Sequence, residues 1–238
     1  MRLNFLGRGS CFANDHAAAF FVTKDNNFVL IDCSEQTYQR IKNEFDLSSY
    51  KNIYVYITHT HGDHVGGLGI LIQYAYYALN KHIIVISPDT KTYNDISTLL
   101  KIEGVIGHEM MICSSINNSY NKIATEEFAL SIPTEHSKIL EGRCFGYQFN
   151  IEGVNVIYTG DTVTLEPFIP YLKAGTEFYV DTSVAYKSDA HLWFNDMLPT
   201  LKSFVEKGVK VYLMHLDDAE KAEKLVSDIS GIEVVNVY

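Results

Sequence analysis

The stretch Tyr54-Val55-Tyr56-Ile57-Thr58-His59-Thr60-His61-Gly62-Asp63-His64-Val65-Gly66-Gly67 runs from an apolar strand into a loop with three imidazoles and a carboxylate in six positions. In an extended segment residues i and i+2 point the same way, so His59 and His61 can reach one metal ion together. Asp63 and His64 follow as the chain turns toward a helix, and aim at a second point nearby. Gly62, Gly66 and Gly67 suit a backbone that turns sharply beside the ions. A lone His is more often a solvated or hydrogen-bonded core residue. The pattern His-x-His-x-Asp-His directly after a strand is far more specific.

Two ions need more ligands than this loop supplies, so further His or acidic residues are expected at strand ends. Three segments meet that need: Ser131-Ile132-Pro133-Thr134-Glu135-His136, Val156-Ile157-Tyr158-Thr159-Gly160-Asp161-Thr162 and Val211-Tyr212-Leu213-Met214-His215. Each places a ligand-capable side chain where an apolar strand stops. Taken alone, Asp161 could equally be a turn residue or a helix cap.

Outward from these segments, short runs rich in Val, Ile, Phe and Tyr alternate with helical periodicity from about residue 50 onward, while the first third reads mainly as hairpins. Strands are expected at 2–6, 18–23, 28–32, 53–58, 83–87, 128–133, 145–151, 154–159, 177–181, 210–215 and 233–238. Helices are expected at 67–79, 89–101, 165–173, 194–207 and 219–229. Lys24-Asp25-Asn26-Asn27 and Glu152-Gly153 suit tight hairpin turns. Residues 104–127 are the least regular, with Ser114-Ser115-Ile116-Asn117-Asn118-Ser119 read as loop. No linker separates independent units, so one domain over residues 1–238 is expected.

The ordered set of an Asp after an early strand, His-x-His-x-Asp-His, His, Asp and His resembles the metallo-β-lactamase superfamily over essentially the whole chain. That resemblance implies an α/β four-layer αββα sandwich with the metals at one edge of the two sheets. It implies that His59, His61 and His136 bind a first ion, that Asp63, His64 and His215 bind a second, and that Asp161 bridges them. Asp32, in Val29-Leu30-Ile31-Asp32, looks like the acidic position that supports the ligand loop. The segment Phe178-Tyr179-Val180-Asp181-Thr182-Ser183, followed by Ala190-His191-Leu192-Trp193-Phe194, is similar to the acid–histidine pair of the ribonuclease Z-like and phosphodiesterase branch. In that branch the pair acts on the leaving oxygen, although ribonuclease Z usually has Glu where Asp181 stands. The opening Phe5-Leu6-Gly7-Arg8-Gly9-Ser10 also looks like that branch. Asp63, Asp181 and His191 are the residues expected to share in the chemistry. Of the remaining histidines, His16 is the best placed to line a substrate pocket, and Trp193 and Phe194 could line it too.

Composition narrows the partners. Apolar residues make up 47% of the 238, enough for a substantial core. The net charge of −10 argues against a broad basic surface for extended nucleic acid. Cys11, Cys33, Cys113 and Cys144 form no C-x-x-C pair and read as reduced thiols of a cytoplasmic protein. Met1-Arg2-Leu3-Asn4-Phe5-Leu6-Gly7 lacks the apolar core of a secretory signal and no apolar run reaches membrane-spanning length, so neither export nor membrane insertion is expected. A homodimer is compatible with all of this.

The expected function is metal-dependent hydrolysis with two divalent ions, zinc first and manganese or iron as alternatives, acting on a small-molecule phosphodiester. Only 24 residues separate His136 from Asp161, largely filled by one hairpin, so the long tRNA-gripping arm of many ribonuclease Z enzymes has no place there. A small cyclic or linear nucleotide fits better. Thioester, lactone or amide hydrolysis is the enzymatic alternative, because the same two ions polarise carbonyl and phosphoryl oxygens alike. A diiron oxygen-reducing module, which usually has Glu in place of His61, and an inactive binding protein are the others.

Overall fold

Side-chain alternation in the parallel strands sets the layering. In β3 (Phe28–Ile31), β4 (Ile53–Tyr56) and β5 (Ile83–Ser87), the residues Phe28, Leu30, Ile53, Val55, Ile83 and Val85 face one way. Val29, Ile31, Tyr54, Tyr56, Ile84 and Ile86 face the other. Both faces are buried, which requires a layer on each side. The computed structural model describes residues 1–105, 107, 110–114, 122–123 and 127–238, and supplies both layers.

The first sheet has the order β1 (Asn4–Gly7), β2 (Ala18–Val22), β3, β4, β5 and β6 (Met110–Ser114), antiparallel up to β3 and parallel beyond. The second repeats that plan. It runs from β7 (Lys122–Ile123) through β8 (Glu127–Thr134), β9 (Cys144–Ile151), β10 (Val154–Tyr158), β11 (Glu177–Asp181) and β12 (Lys210–Met214) to β13 (Ile232–Val234). Strands β7 to β10 pair antiparallel and β10 to β13 parallel.

The inner faces of the two sheets meet in an aromatic layer. Phe149 packs edge-on against Phe21 and Tyr56 across the sheets, and the Tyr147 hydroxyl donates to the Ile57 carbonyl at 2.7 Å. On the outer face of the first sheet, α1 (Glu35–Glu44), α3 (Leu68–Leu79) and α4 (Thr90–Ile102) bury Tyr38, Ile41, Leu71, Ile72, Ile96 and Leu100. Here α2 is the single turn Gly62–Val65. On the far face of the second sheet, α5 (Phe194–Glu206) and α6 (Ala219–Val226) bury Met197, Leu201, Phe204 and Ala222. The result is the αββα sandwich.

Several elements depart from the sequence expectation, each for a local reason. The first third is not only hairpins, because Ser34 caps α1 by accepting from the Thr37 N–H. Only Thr37, Tyr38 and Ile41 of that helix are buried, a stripe too sparse to stand out in the sequence. Residues 166–171 form tight 3-10 turns rather than an α-helix, since Pro170 lacks the N–H that an α-helix would bond to the Glu166 carbonyl and its ring crowds that carbonyl. The irregular region contains β6, whose last residue is Ser114; Ser115–Ser119 lie outside the described residues. The last strand ends at Val234, and Val237 adds only an isolated bridge to Phe5. The Asn26 and Glu152 turns do adopt the left-handed backbone that tight hairpins use, at φ 61° and 50°. Among the described residues no helix is long and apolar enough to cross a membrane.

The two-sheet contact predicts a measurable cost. Phe149→Ala should lower unfolding free energy by about 3–5 kcal/mol in chemical denaturation. A change below about 1 kcal/mol would mean that the ring is not part of the inter-sheet core.

Candidate active site

Five strands deliver their last residues to one edge of the sandwich. Asp32 follows β3, Thr58 and His59 follow β4, Asp161 follows β10, Asp181 ends β11 and His215 follows β12. Asp32 and His215 adopt left-handed backbone, at φ 64° and 55°, a conformation that costs about 1–3 kcal/mol off glycine and is held only where the surroundings enforce it. Gly160, at φ 60°, turns the chain before Asp161, where a Cβ would lie 2.5 Å from the Phe145 carbonyl oxygen. Gly67 lets the ligand loop pass against Ser34, whose carbonyl oxygen would be 2.2 Å from a Cβ. Gly62, in contrast, faces open space and has no need of glycine, contrary to the sequence expectation.

The histidines are held by their outer nitrogens. Fully buried Asp32 accepts from the Thr58 N–H, the Thr58 hydroxyl and Nδ1 of His64, each at 2.8 Å. The Thr58 oxygen, having donated its proton, can accept from Nδ1 of His59 at 3.0 Å. Nδ1 of His136 donates to the Ala190 carbonyl at 2.6 Å, and Nδ1 of His215 lies 3.3 Å from Oδ1 of Asp181. With protons fixed on the outer nitrogens, the Nε2 lone pairs of His59, His64, His136 and His215 all face inward. This is the orientation that metal-binding imidazoles take.

The inward atoms form three overlapping groups that share Asp161. His59, His61, His136 and Asp161 make one, Asp63, His64, Asp161 and His215 a second, and Asp161, Asp181, His191 and His215 a third, with ligand atoms in each within 4.8 Å of one another. The third is also the Asp181–His191 hydrogen-bonded pair, which leaves the first two as the pair of candidate ion sites. Hydrogen bonds alone do not satisfy them. Nε2 of His59 and Nε2 of His136 both approach Nδ1 of His61, at 3.0 and 3.2 Å, and one proton cannot serve both contacts. Nε2 of His64 and Oδ1 of Asp161 are buried without a well-directed hydrogen bond. The donor set of imidazoles and carboxylates therefore fits a pair of divalent ions.

Charge points the same way. Burial holds His59 and His61 below the ordinary histidine range, which keeps their lone pairs available. Burial pushes the Asp63 and Asp161 carboxyls up, but the neighbouring rings outweigh it: His215 and His64 hold both well below the usual carboxylate range. In return, against the opposing effect of burial, Asp161 raises His64 and His215 well above the ordinary value. The carboxylates and the rings thus stabilise one another's charge.

Beside the second group, His191 Nδ1 is 2.9 Å from Oδ2 of Asp181. Burial lowers the His191 pKa, yet the Asp181 carboxylate more than reverses this, so the ring holds its proton more tightly than a free imidazole. Asp181 therefore faces two rings, His191 through one oxygen and His215 through the other. The sequence pairs it only with His191. Thr58 and Ala190 are likewise absent from the sequence expectation, because a hydroxyl and a backbone carbonyl bear no motif.

His61, Asp63, His136, Asp161, His191 and His215 open into a cavity of about 1090 Å³, whose wall includes Cys11, Phe12, Lys138, Tyr186 and Ser188. His16 does not line it; its ring is turned to the Cys11 carbonyl at 3.2 Å, and Cys11 and Phe12 face the cavity instead. Trp193 and Phe194 do not line it either, since Phe194 packs in the core beneath α5. Cys11, Cys33 and Cys144 are free thiols.

An αββα sandwich with paired His/Asp clusters at the shared sheet edge defines a metallo-β-lactamase-superfamily protein. Within that class, residues 1–235 match the family described as anti-Pycsar protein Apyc1, and the chain belongs to it. Ribonuclease Z from Methanococcus maripaludis is 32% identical over 110 residues, covering 45% of this chain and 33% of that protein. The chain thus matches about a third of the length of the first such relatives. Ribonuclease Z from Saccharolobus islandicus is 24% identical over 246 residues, covering 86% of this chain and 84% of that protein. In fold, the chain is similar to the metallo-β-lactamase fold protein YhfI from Bacillus subtilis, with a TM-score of 0.74 at 16% identity over 99% of this chain and 95% of that one.

Asp32 touches no cavity, so its substitution isolates the support from the ligands. Asp32→Asn should weaken divalent-metal binding by about 10–100-fold in chelator competition while the protein stays folded. Unchanged affinity would remove Asp32 from the site.

Proposed function

We infer that the chain is a dinuclear metal-dependent hydrolase acting on a compact phosphodiester, with a small cyclic or linear nucleotide the foremost class. The carrying observation is the pair of inward-facing ligand groups joined by Asp161, with the Asp181–His191 pair opening into the same cavity. His59, His61 and His136 would hold one ion, Asp63, His64 and His215 the other, and Asp161 both. Zinc is the ion we propose, since mixed imidazole and carboxylate donors suit it. When bound, two such ions make water a nucleophile at neutral pH and offset negative charge on the phosphoryl group.

The chain's own residues supply the rest. Asp181 keeps His191 protonated and aims the ring, so that its free Nε2–H can pass a proton to the departing oxygen. Asp63 holds its charge on the cavity side of the second group. The short segment between β8 and β9, only a 3-10 turn at Lys138–Leu140, leaves the cavity to a small substrate. Membership of the family and the ribonuclease Z relatives support phosphodiester chemistry over attack at a carbonyl.

Two outcomes test this. Gently purified protein should carry close to two divalent ions per chain by elemental analysis, and His59→Ala should lose metal and hydrolytic activity together; full activity in that variant would defeat the ligand assignment. On a panel of model phosphodiesters, cyclic nucleotides, thioesters and lactones, turnover should be confined to the phosphodiesters. His191→Ala should lower kcat there by about 100-fold or more, as loss of a general acid does. Equal rates for variant and wild type would exclude the proton-donor role.

A further inference from the structure

His191 is carried on a loop that its own backbone does not hold in place. Among the described residues, 184–191 make no backbone–backbone hydrogen bond. The loop is closed only at its stem, where the Ser183 N–H donates to the Leu192 carbonyl at 2.8 Å and the Phe194 N–H to the Ser183 carbonyl at 3.0 Å. A segment of that length with no ladder needs side-chain acceptors for its N–H groups.

One carboxylate takes the first three of those N–H groups. Asp217 Oδ1 accepts from the Val184 N–H at 2.7 Å and the Ala185 N–H at 3.1 Å; Oδ2 accepts from the Ser183 hydroxyl at 2.5 Å, with the Ala185 and Tyr186 N–H groups at 3.0 and 3.3 Å. Three successive N–H groups thus converge on one side chain, each bond stronger for the charge. The Ser183 hydroxyl shares its single proton between Oδ2 and the Tyr186 carbonyl, at 2.5 and 2.6 Å, and so joins the same cluster. The second half of the loop is held by Ser188, whose hydroxyl accepts from the Ala190 and His191 N–H groups at 3.3 and 3.2 Å. Asp217 itself has a firm base. Two residues after His215, it follows Leu216, whose N–H donates to the Arg8 carbonyl and whose carbonyl accepts from the Ser10 N–H.

We propose that Asp217 is a positioning residue: it clamps the 183–186 half of the loop so that His191 is presented at the leaving-group side of the site. The consequence for catalysis rests on the phosphodiester function inferred above. Asp217 touches no reacting atom and lies outside the cavity wall, so its effect passes through His191. Asn in its place keeps the shape but turns one acceptor oxygen into a donor facing N–H groups.

The test compares metal-loaded Asp217→Asn with wild type on diphenyl phosphate, whose phenoxide leaves poorly, and bis(p-nitrophenyl) phosphate, whose leaving group hardly needs a proton. The expected result is a kcat loss of about tenfold or more on the first and less than about threefold on the second, with KM and metal content unchanged. Equal losses on both, or none on either, would overturn the proposal. A second arm uses metal-free protein and histidine-selective ¹⁵N NMR. The Nδ1–H signal of His191 bonded to Asp181 should shift and broaden in Asp217→Asn while the His82 signals stay in place; an unmoved His191 signal would overturn the proposal. If Asp217→Asn fails to fold, Ser183→Ala, which removes one donor to the carboxylate, takes its place with a smaller change expected in the same direction. Wild-type protein inert toward both diesters would defeat the phosphodiester function alone, and the NMR arm would then decide the positioning.

Discussion

Four carboxylates, those of Asp32, Asp63, Asp161 and Asp181, are buried together where the two sheets share an edge. An unpaired carboxylate taken out of water costs several kcal/mol, so the chain can fold this way only by surrounding the group with positive charge. Much of the surrounding design answers that demand. Six histidines face the carboxylates, Asp32 and His215 take up left-handed backbone at their strand ends, and Thr58 and Ala190 fix the outer protons of His59 and His136. The same carboxylates hold His64 and His215 well above the ordinary histidine range.

The sandwich explains why such a cluster sits at an edge rather than in the core. The space between the sheets is filled by Tyr56, Tyr147, Phe149, Tyr158 and Tyr179, which leaves no room for hydrated ions. At the strand ends the aromatic layer stops, and side chains from both sheets converge from opposite sides. The repeated plan, antiparallel strands followed by parallel ones, brings Asp32 and His59 from one half against Asp161, Asp181 and His215 from the other. The groups built on His59, His61 and His136 and on Asp63, His64 and His215 each draw side chains from both halves.

The amino-acid pattern reveals the residues that face inward much better than those that hold them. His59, His61, Asp63, His64, His136, Asp161 and His215 stand out because imidazoles and carboxylates at the ends of apolar strands are rare. The same is true of the strands, whose runs of Val, Ile and Tyr are continuous. Helix α1 does not stand out, since it buries so little, and the expected helix at 165–173 yields to Pro170, whose effect outweighs the periodicity. Asp217 is hidden for a different reason. It precedes Asp218, which caps α6 by accepting from the Lys221 N–H, so the pair reads as ordinary helix-start chemistry. Its partners are about thirty residues away in sequence, and only the folded chain brings them together.

The bond from His136 to the Ala190 carbonyl ties a ligand position to the loop that bears the neighbouring His191. Because the acceptor is backbone, the side chain at position 190 is free to vary, but the path of the loop is not. Insertions or deletions between Ser183 and Trp193 would disturb the His136 and His191 rings together.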